Sequence, residues 1–433
     1  MNVFTFLRLH YNLKTVITIF LFLEISFGCS AMNERVGVEE EYFEVSEDSV
    51  VIDLFIYKKG DEYIINDTID LNCKTLYLPQ NISMVVKKGL FKNGRIVGNN
   101  TSLKYNKVVF DHVHIGGTWR VPHIKSTMFA NLSYNNALKD VIALSNSSIN
   151  NVIDIERDDY YVSVTRPSDV CLSVYSNTEI RLDGNVFLLP NGYSMYNIIR
   201  TAGDNIVIKG KGSIIGDRQK HLSNDGEWGM GISLYGGNNI KIIGISIKDC
   251  WGDCIYVYNN ADCIEISGCL LEHSRRQGIS VISCKNIKIN NCKILCIQGT
   301  KPEYAIDIEP NENDTIVNVF INNVYINNCH GGIASSGRAK NAFVNSIKIK
   351  QCTIENCLYC PIRIVESEST LICNNRIYSF DSKNSIECFD VDNVNINSCS
   401  IDKNNNLYDL FQDNKSISVL NAKKKRIKKI KWM

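Results

Sequence analysis

Ile240-Lys241-Ile242-Ile243-Gly244-Ile245-Ser246-Ile247-Lys248-Asp249-Cys250 is answered by Ile264-Glu265-Ile266-Ser267-Gly268-Cys269-Leu270-Leu271-Glu272-His273-Ser274, and again by Ile287-Lys288-Ile289-Asn290-Asn291-Cys292-Lys293-Ile294-Leu295-Cys296-Ile297. Each copy opens apolar-x-apolar-x-x-apolar and places a small or apolar residue five positions later. The opening returns at Val319/Ile321/Val324, Ile347/Ile349/Cys352 and Val394/Ile396/Cys399, and the later column continues through Cys329 and Cys357. A third run per unit carries Ile232, Ile255, Ile279, Ile306, Ile333, Ile362 and Ile386, at intervals of 23, 24, 27, 27, 29 and 24 residues. Strict alternation of apolar with polar positions reads as short strands, and the Asn, Gly and Ser between them read as corners.

A repeat of this length cannot bury its apolar face alone, so successive units must stack at the spacing of paired strands, ~4.8 Å. The fold class is therefore all-β, a right-handed parallel β-helix (a single-stranded solenoid), over about 126–405. A leucine-rich repeat shares the period but needs a Leu and Asn signature that is missing here. Residues 29–125 read as a smaller N-terminal β region, β-helical or sandwich-like, with strands such as Ile69-Asp70-Leu71 and a turn at Asn93-Gly94. Between the two, Ala137, Leu138, Val141, Ile142 and Leu144 fall at helical spacing, which predicts a short capping helix within 135–145. Residues 406–433 close the chain with a basic, solvated tail containing Lys423-Lys424-Lys425-Arg426.

Lys plus Arg number 47 and Asp plus Glu 46. That balance excludes a broad basic field for nucleic acid and leaves a neutral or locally recognised ligand. Residues 1–28 read as an export signal: Arg8 and Lys14 precede an apolar run from Val16 to Leu23 that is too short to span a bilayer. Gly28-Cys29-Ser30 resembles the end of a lipoprotein signal, with Cys29 the lipidation site and the only route to a membrane. The expected location is outside the cytoplasm: cell surface or outer membrane if lipidated, periplasmic or secreted if not. An exported chain with 17 cysteines invites a disulfide framework. Their positions argue otherwise, because Cys alternates with Ile and Val in the same columns and free Cys behaves as a small buried hydrophobe. Cys357 and Cys360 stand without a second pair at zinc spacing, so no metal site is expected.

Chemistry must sit on the outward positions of the third strand. If Ile255, Ile279 and Ile306 point in, then Tyr256, Ser280 and Asp307 point out, and Glu309 shares the face of Asp307. Two residues along one strand are ~6.6 Å apart, which suits a carboxylate pair flanking a glycosidic bond. Asp253 and Arg275-Arg276-Gln277 precede the strands of the two preceding coils, and Trp228 lies one coil earlier still. Asp253, Asp307 and Glu309 are the candidate catalytic residues. Trp228, Arg275, Arg276, Gln277 and Tyr256 are the candidate substrate-binding residues, with the arginines meeting acidic groups and the aromatics stacking on sugar rings.

At these residues the chain resembles the pectate-lyase-like β-helix proteins, and among them the polygalacturonase-type glycoside hydrolases. Gly252-Asp253-Cys254-Ile255 is similar to that family's Gly-Asp-Asp-Cys-Ile, and Gln277-Gly278-Ile279-Ser280 to its Gly-His-Gly-Ile-Ser. The resemblance implies a polysaccharide partner and carries over Asp253 as a catalytic match. It stops at Gly229-Met230-Gly231, where the family has Asn-Thr-Asp, and at Ala305-Ile306-Asp307-Ile308-Glu309, where it has Arg-Ile-Lys. A glycoside hydrolase acting on an acidic glycan is the leading expectation. A lyase using Ca²⁺ and a non-catalytic glycan-binding or scaffold protein are the alternatives, and either a monomer or a homotrimer fits.

Overall fold

The computed structural model describes residues 39–40, 57–59, 62–132, 136–378, 384–401, 406–412 and 416–420. The signal region, the lipidation candidate Cys29 and the basic run from Lys423 lie outside the described residues. Contacts divide the chain after Glu40. Before that point only the two-residue strand Glu39–Glu40 is described; all that follows concerns residues beyond it.

Three long sheets, of ten, ten and twelve strands, each add one strand per coil. Every strand pair in them is parallel. One of the ten-stranded sheets positions the candidate site. Its strands are β1 (Asp169–Tyr175), β2 (Met195–Ala202), β3 (Trp228–Tyr235), β4 (Ile255–Tyr258), β5 (Ile279–Val281), β6 (Tyr304–Ile308), β7 (Gly331–Ser336), β8 (Ile362–Val365), β9 (Asn384–Phe389) and β10 (Asn406–Gln412). The isoleucine column found in the sequence is the register of this sheet: Ile232, Ile255, Ile279, Ile306, Ile333, Ile362 and Ile386 are successive partners, and none is exposed to solvent. Removing each from water contributes about 1.5–3 kcal/mol.

The cysteine columns are buried with the isoleucines, and every described cysteine is free. At the corners asparagine has two roles. Asn205, Asn239, Asn318 and Asn323 take the left-handed conformation that turns the chain. Their side-chain amides donate to the asparagine of the preceding coil: Asn205 to Asn177, Asn239 to Asn205, Asn318 to Asn286 and Asn323 to Asn291, at 2.7–3.1 Å.

Ahead of the site-bearing coils, the strands Ile69–Tyr77, Ser83–Val86, Phe91–Tyr105 and Phe110–Arg120 also pair in parallel, so the N-terminal region is β-helical in style and not a sandwich. The helix Ala137–Ala143 lies against Phe110–Arg120 and β1 and covers the open end of the site-bearing sheet. Asp140 pins it by accepting from the backbone N–H of Ile115 at 2.8 Å. Parallel pairing continues past the expected boundary at 405, through β10 and Ser416–Leu420.

Candidate functional site

Outward positions of the site-bearing sheet also stand in register: Ser173, Arg200, Ser233, Tyr256, Ser280, Asp307, Ala334, Arg363 and Glu387. The carboxylates sit in the middle of this row. Asp253, just ahead of β4, is fully buried. Its Oδ2 accepts from Ser280 Oγ at 2.7 Å and from Arg276 Nη1 at 3.0 Å. Burial pushes its carboxyl up to about 6 against the opposing pull of Arg276 and Ser280.

Asp307 occupies its outward position on β6 yet is only 5% exposed. Gln277 explains how it is held: its side-chain N–H donates to Asp307 Oδ2 at 2.6 Å, while its carbonyl accepts from the Tyr304 N–H at 2.7 Å. Burial first, and then the negative charge of Glu309, raise the Asp307 carboxyl well above the usual carboxylate range. Glu309, one residue beyond β6, is exposed to solvent. The structure thus places one carboxyl inside, on β6, and one outside, just beyond its end, while the row positions on either side, Ser280 and Ala334, are themselves buried.

Arg276 is central to this cluster. Besides Asp253, it lies 3.7 Å from Glu227 through Nε, an atom buried without a hydrogen-bond partner. Burial works against its charge, but Asp253 and Glu227 outweigh burial and hold it protonated. Glu227 comes from the segment that connects the 3₁₀ turn Arg218–Lys220 to β3. That segment approaches the turn before β4 so closely that a Cβ at Gly252 would lie 2.5 Å from the Glu227 carbonyl oxygen.

The structure places two of the candidate substrate-binding side chains away from the open face. Arg275 does not face the row: its guanidinium lies 3.8 Å from the centroid of the Trp251 ring and donates to the Gly226 carbonyl at 2.6 Å. A cation at a corner can fold back onto the protein as readily as it can meet solvent, and here an aromatic face beneath it decides. Gln277 is fully buried, with its amide engaged by Asp307 and the Tyr304 N–H. Trp228 is 41% exposed at the start of β3. Tyr256 is half-buried, with burial and then the charge of Asp253 pushing its hydroxyl up to about 12.

Sequence reasoning missed the buried set that holds the segment before β3. Asp217 accepts from Tyr196 Oη at 2.6 Å, from the Asn191 backbone and side chain at 3.1 and 2.9 Å, and contacts His221 Nδ1 at 2.8 Å. His221 stacks on Trp251 with ring centroids 4.0 Å apart. The Asp217/His221 spacing of four residues, ahead of Trp251, was the available signal. Among the described residues no group of three His, Cys, Asp or Glu side chains is arranged to hold a metal ion.

A family model described as a right handed beta helix region matches residues 164–347. A stretch of 162 residues is 32% identical to the SPbeta prophage-derived uncharacterized protein YorA of Bacillus subtilis, covering 32% of this chain and 28% of that protein. A stretch of 160 residues is 34% identical to the uncharacterized protein YclG of the same organism, covering 31% and 27%. The chain thus matches under a third of the length of these relatives. Among solved structures it is similar to an endo-xylogalacturonan hydrolase from Aspergillus tubingensis, at 13% identity, 70% of this chain, 93% of that one and TM-score 0.46. It is also similar to a family 28 exopolygalacturonase of Yersinia enterocolitica, at 8%, 71%, 78% and 0.43, and to PfbA, a surface adhesin of Streptococcus pneumoniae, at 12%, 83%, 85% and 0.32.

Proposed function

We propose that this chain is an exported protein that binds an acidic polysaccharide along the outward row of β3–β8 and hydrolyses it with inversion. The observation that carries the reading is the pair Asp307 and Glu309: the first is buried, with its carboxyl raised by burial and by its neighbour, and the second is exposed. Two carboxyls whose surroundings differ in this way divide naturally into acid and base. Asp307 gives its proton to the glycosidic oxygen as the C–O bond breaks. Glu309 takes a proton from the water that attacks the anomeric carbon from the opposite side. Gln277 occupies Oδ2 of Asp307 as a donor, which leaves Oδ1 to carry the proton. Asp253, closed off from solvent, balances Arg276 and positions Ser280 without touching the sugar.

A lyase would need a base in place of the acid, and the carboxylates that hold Arg276 protonated make it a poor one. Export, and lipidation of Cys29 if it occurs, belong to the same proposal and are read from the N-terminal sequence. Fractionation and acyl labelling of the full chain beside Cys29→Ala test them.

The activity test incubates the full chain with acidic and neutral polysaccharides, with Ca²⁺ and with EDTA, beside Asp307→Asn and Glu309→Gln. New reducing ends that disappear in both variants, without the absorbance of unsaturated uronates, support hydrolysis. Absorbance lost with EDTA replaces it with a calcium-dependent lyase. Binding without new ends replaces it with a glycan-binding surface protein.

A further inference from the structure

With Arg275 folded onto Trp251 and Arg276 enclosed by Asp253 and Glu227, the two cations expected to meet an acidic sugar are occupied. The outward row itself carries two others. Arg363 is paired, with Nε 3.3 Å from Glu387 Oε2. Arg200 on β2 has no ion-pair partner among the described residues, and its guanidinium carbon stands 5.8 Å from the centroid of the Tyr235 ring. Tyr235 is 45% exposed. Its ring meets Tyr258 edge-on, with centroids 5.0 Å apart, and Tyr258 lies 4.9 Å from Tyr256.

We propose that Arg200, Tyr235 and Tyr258 form an anion-selective sugar subsite. The apolar face of a sugar ring rests on the tyrosines, and a carboxylate or sulfate on that sugar, or on the next, pairs with the guanidinium. A planar five-donor fork suits either oxyanion, and aromatic rings offer contact area at low entropic cost. The proposal rests on reading this face as a polysaccharide groove, but not on cleavage. Strand spacing sets β4 about 9.6 Å from β6, and β2 about 19 Å from it. The anion therefore binds away from the carboxyl pair and contributes to the bound chain and its transition state alike, which appears in KM and not in kcat.

The test measures binding to the full-length Asp307→Asn protein by calorimetry, with and without Arg200→Ala or Arg200→Lys. Two pairs of probes separate the sources of charge: polygalacturonate beside its carboxyl-reduced form, and dextran sulfate beside dextran. At least one anionic probe should bind, and Arg200→Ala should weaken it by about 10- to 100-fold, the range for a charge-assisted hydrogen bond. Arg200→Lys should recover part of the loss, and binding of the neutral counterparts should not change. Anionic binding that ignores both substitutions, or no binding of any probe, overturns the subsite. Arg200-dependent binding by a protein that releases no ends leaves the subsite standing while the hydrolase reading falls. Cleavage with binding indifferent to Arg200 does the reverse.

Discussion

Asp253 makes the stability of this protein depend on pH in a direction opposite to that of most surface carboxylates. In the unfolded chain its carboxyl loses its proton near 3.8, whereas in the folded protein burial holds the proton up to about 6. Between those values the folded state binds more protons, so stability is highest below pH 4, falls as pH rises to about 6, and is then level. The size follows from the two values: at about 1.4 kcal/mol per tenfold change in proton affinity, the loss is about 3 kcal/mol. Asp253→Asn keeps the size and the contact with Ser280 and removes the titration. Denaturant midpoints of the two proteins at pH 4, 5, 6 and 7 give the test as a difference of differences, in which groups that do not interact with Asp253 cancel. The unsubstituted protein should lose about 2 kcal/mol relative to Asp253→Asn between pH 4 and pH 7, the rest of the effect lying below pH 4. A difference that stays flat, or that grows in favour of the unsubstituted protein as pH rises, refutes the account of Asp253 as a carboxyl whose ionisation burial delays to about pH 6.

Gln277→Leu removes both ends of the clamp and leaves Asp307 Oδ2 and the Tyr304 N–H buried without a partner; a loss of about 2–6 kcal/mol is expected in the same denaturation experiment, from ~1–3 kcal/mol for each orphaned group. Ile306→Ala, in the middle of the isoleucine column, should cost about 2–5 kcal/mol, since the coils above and below are fixed by their pairing and cannot collapse into the gap. In thiol labelling of the native protein, Cys73 and Cys263 are the exposed described cysteines. Cys73 should react first, because Asp262 raises the Cys263 thiol, and the buried column should react only on unfolding.

The fold was legible because a solenoid writes each contact as a sequence interval: Ile255, Ile279 and Ile306 are neighbours in space because they are equivalents in the repeat. Asp307 followed from the same parity. What the interval cannot carry is the direction taken by a side chain at a corner. Arg275 and Arg276 are adjacent in sequence and were given one role, yet the first lies on Trp251 and the second between two carboxylates. Arg200 escaped notice for another reason. Its chain neighbour Ile199 is 33 residues before its own register partner Ile232, outside the 23–29 range of the other intervals. The extra length is the segment after Arg218–Lys220, and once it is set aside Ile199 continues the inward column and Arg200 the outward row.

That segment also marks where the chain can change length without disturbing the stack. Coils locked by asparagine ladders and isoleucine columns accept no insertion within a strand, because one added residue would turn every later side chain to the wrong face. Length can vary only where the chain leaves the stack, and the segment of Arg218–Glu227 leaves it beside the carboxylates. The rim beside the carboxylates can therefore be lengthened or trimmed while the coils beneath stay in register.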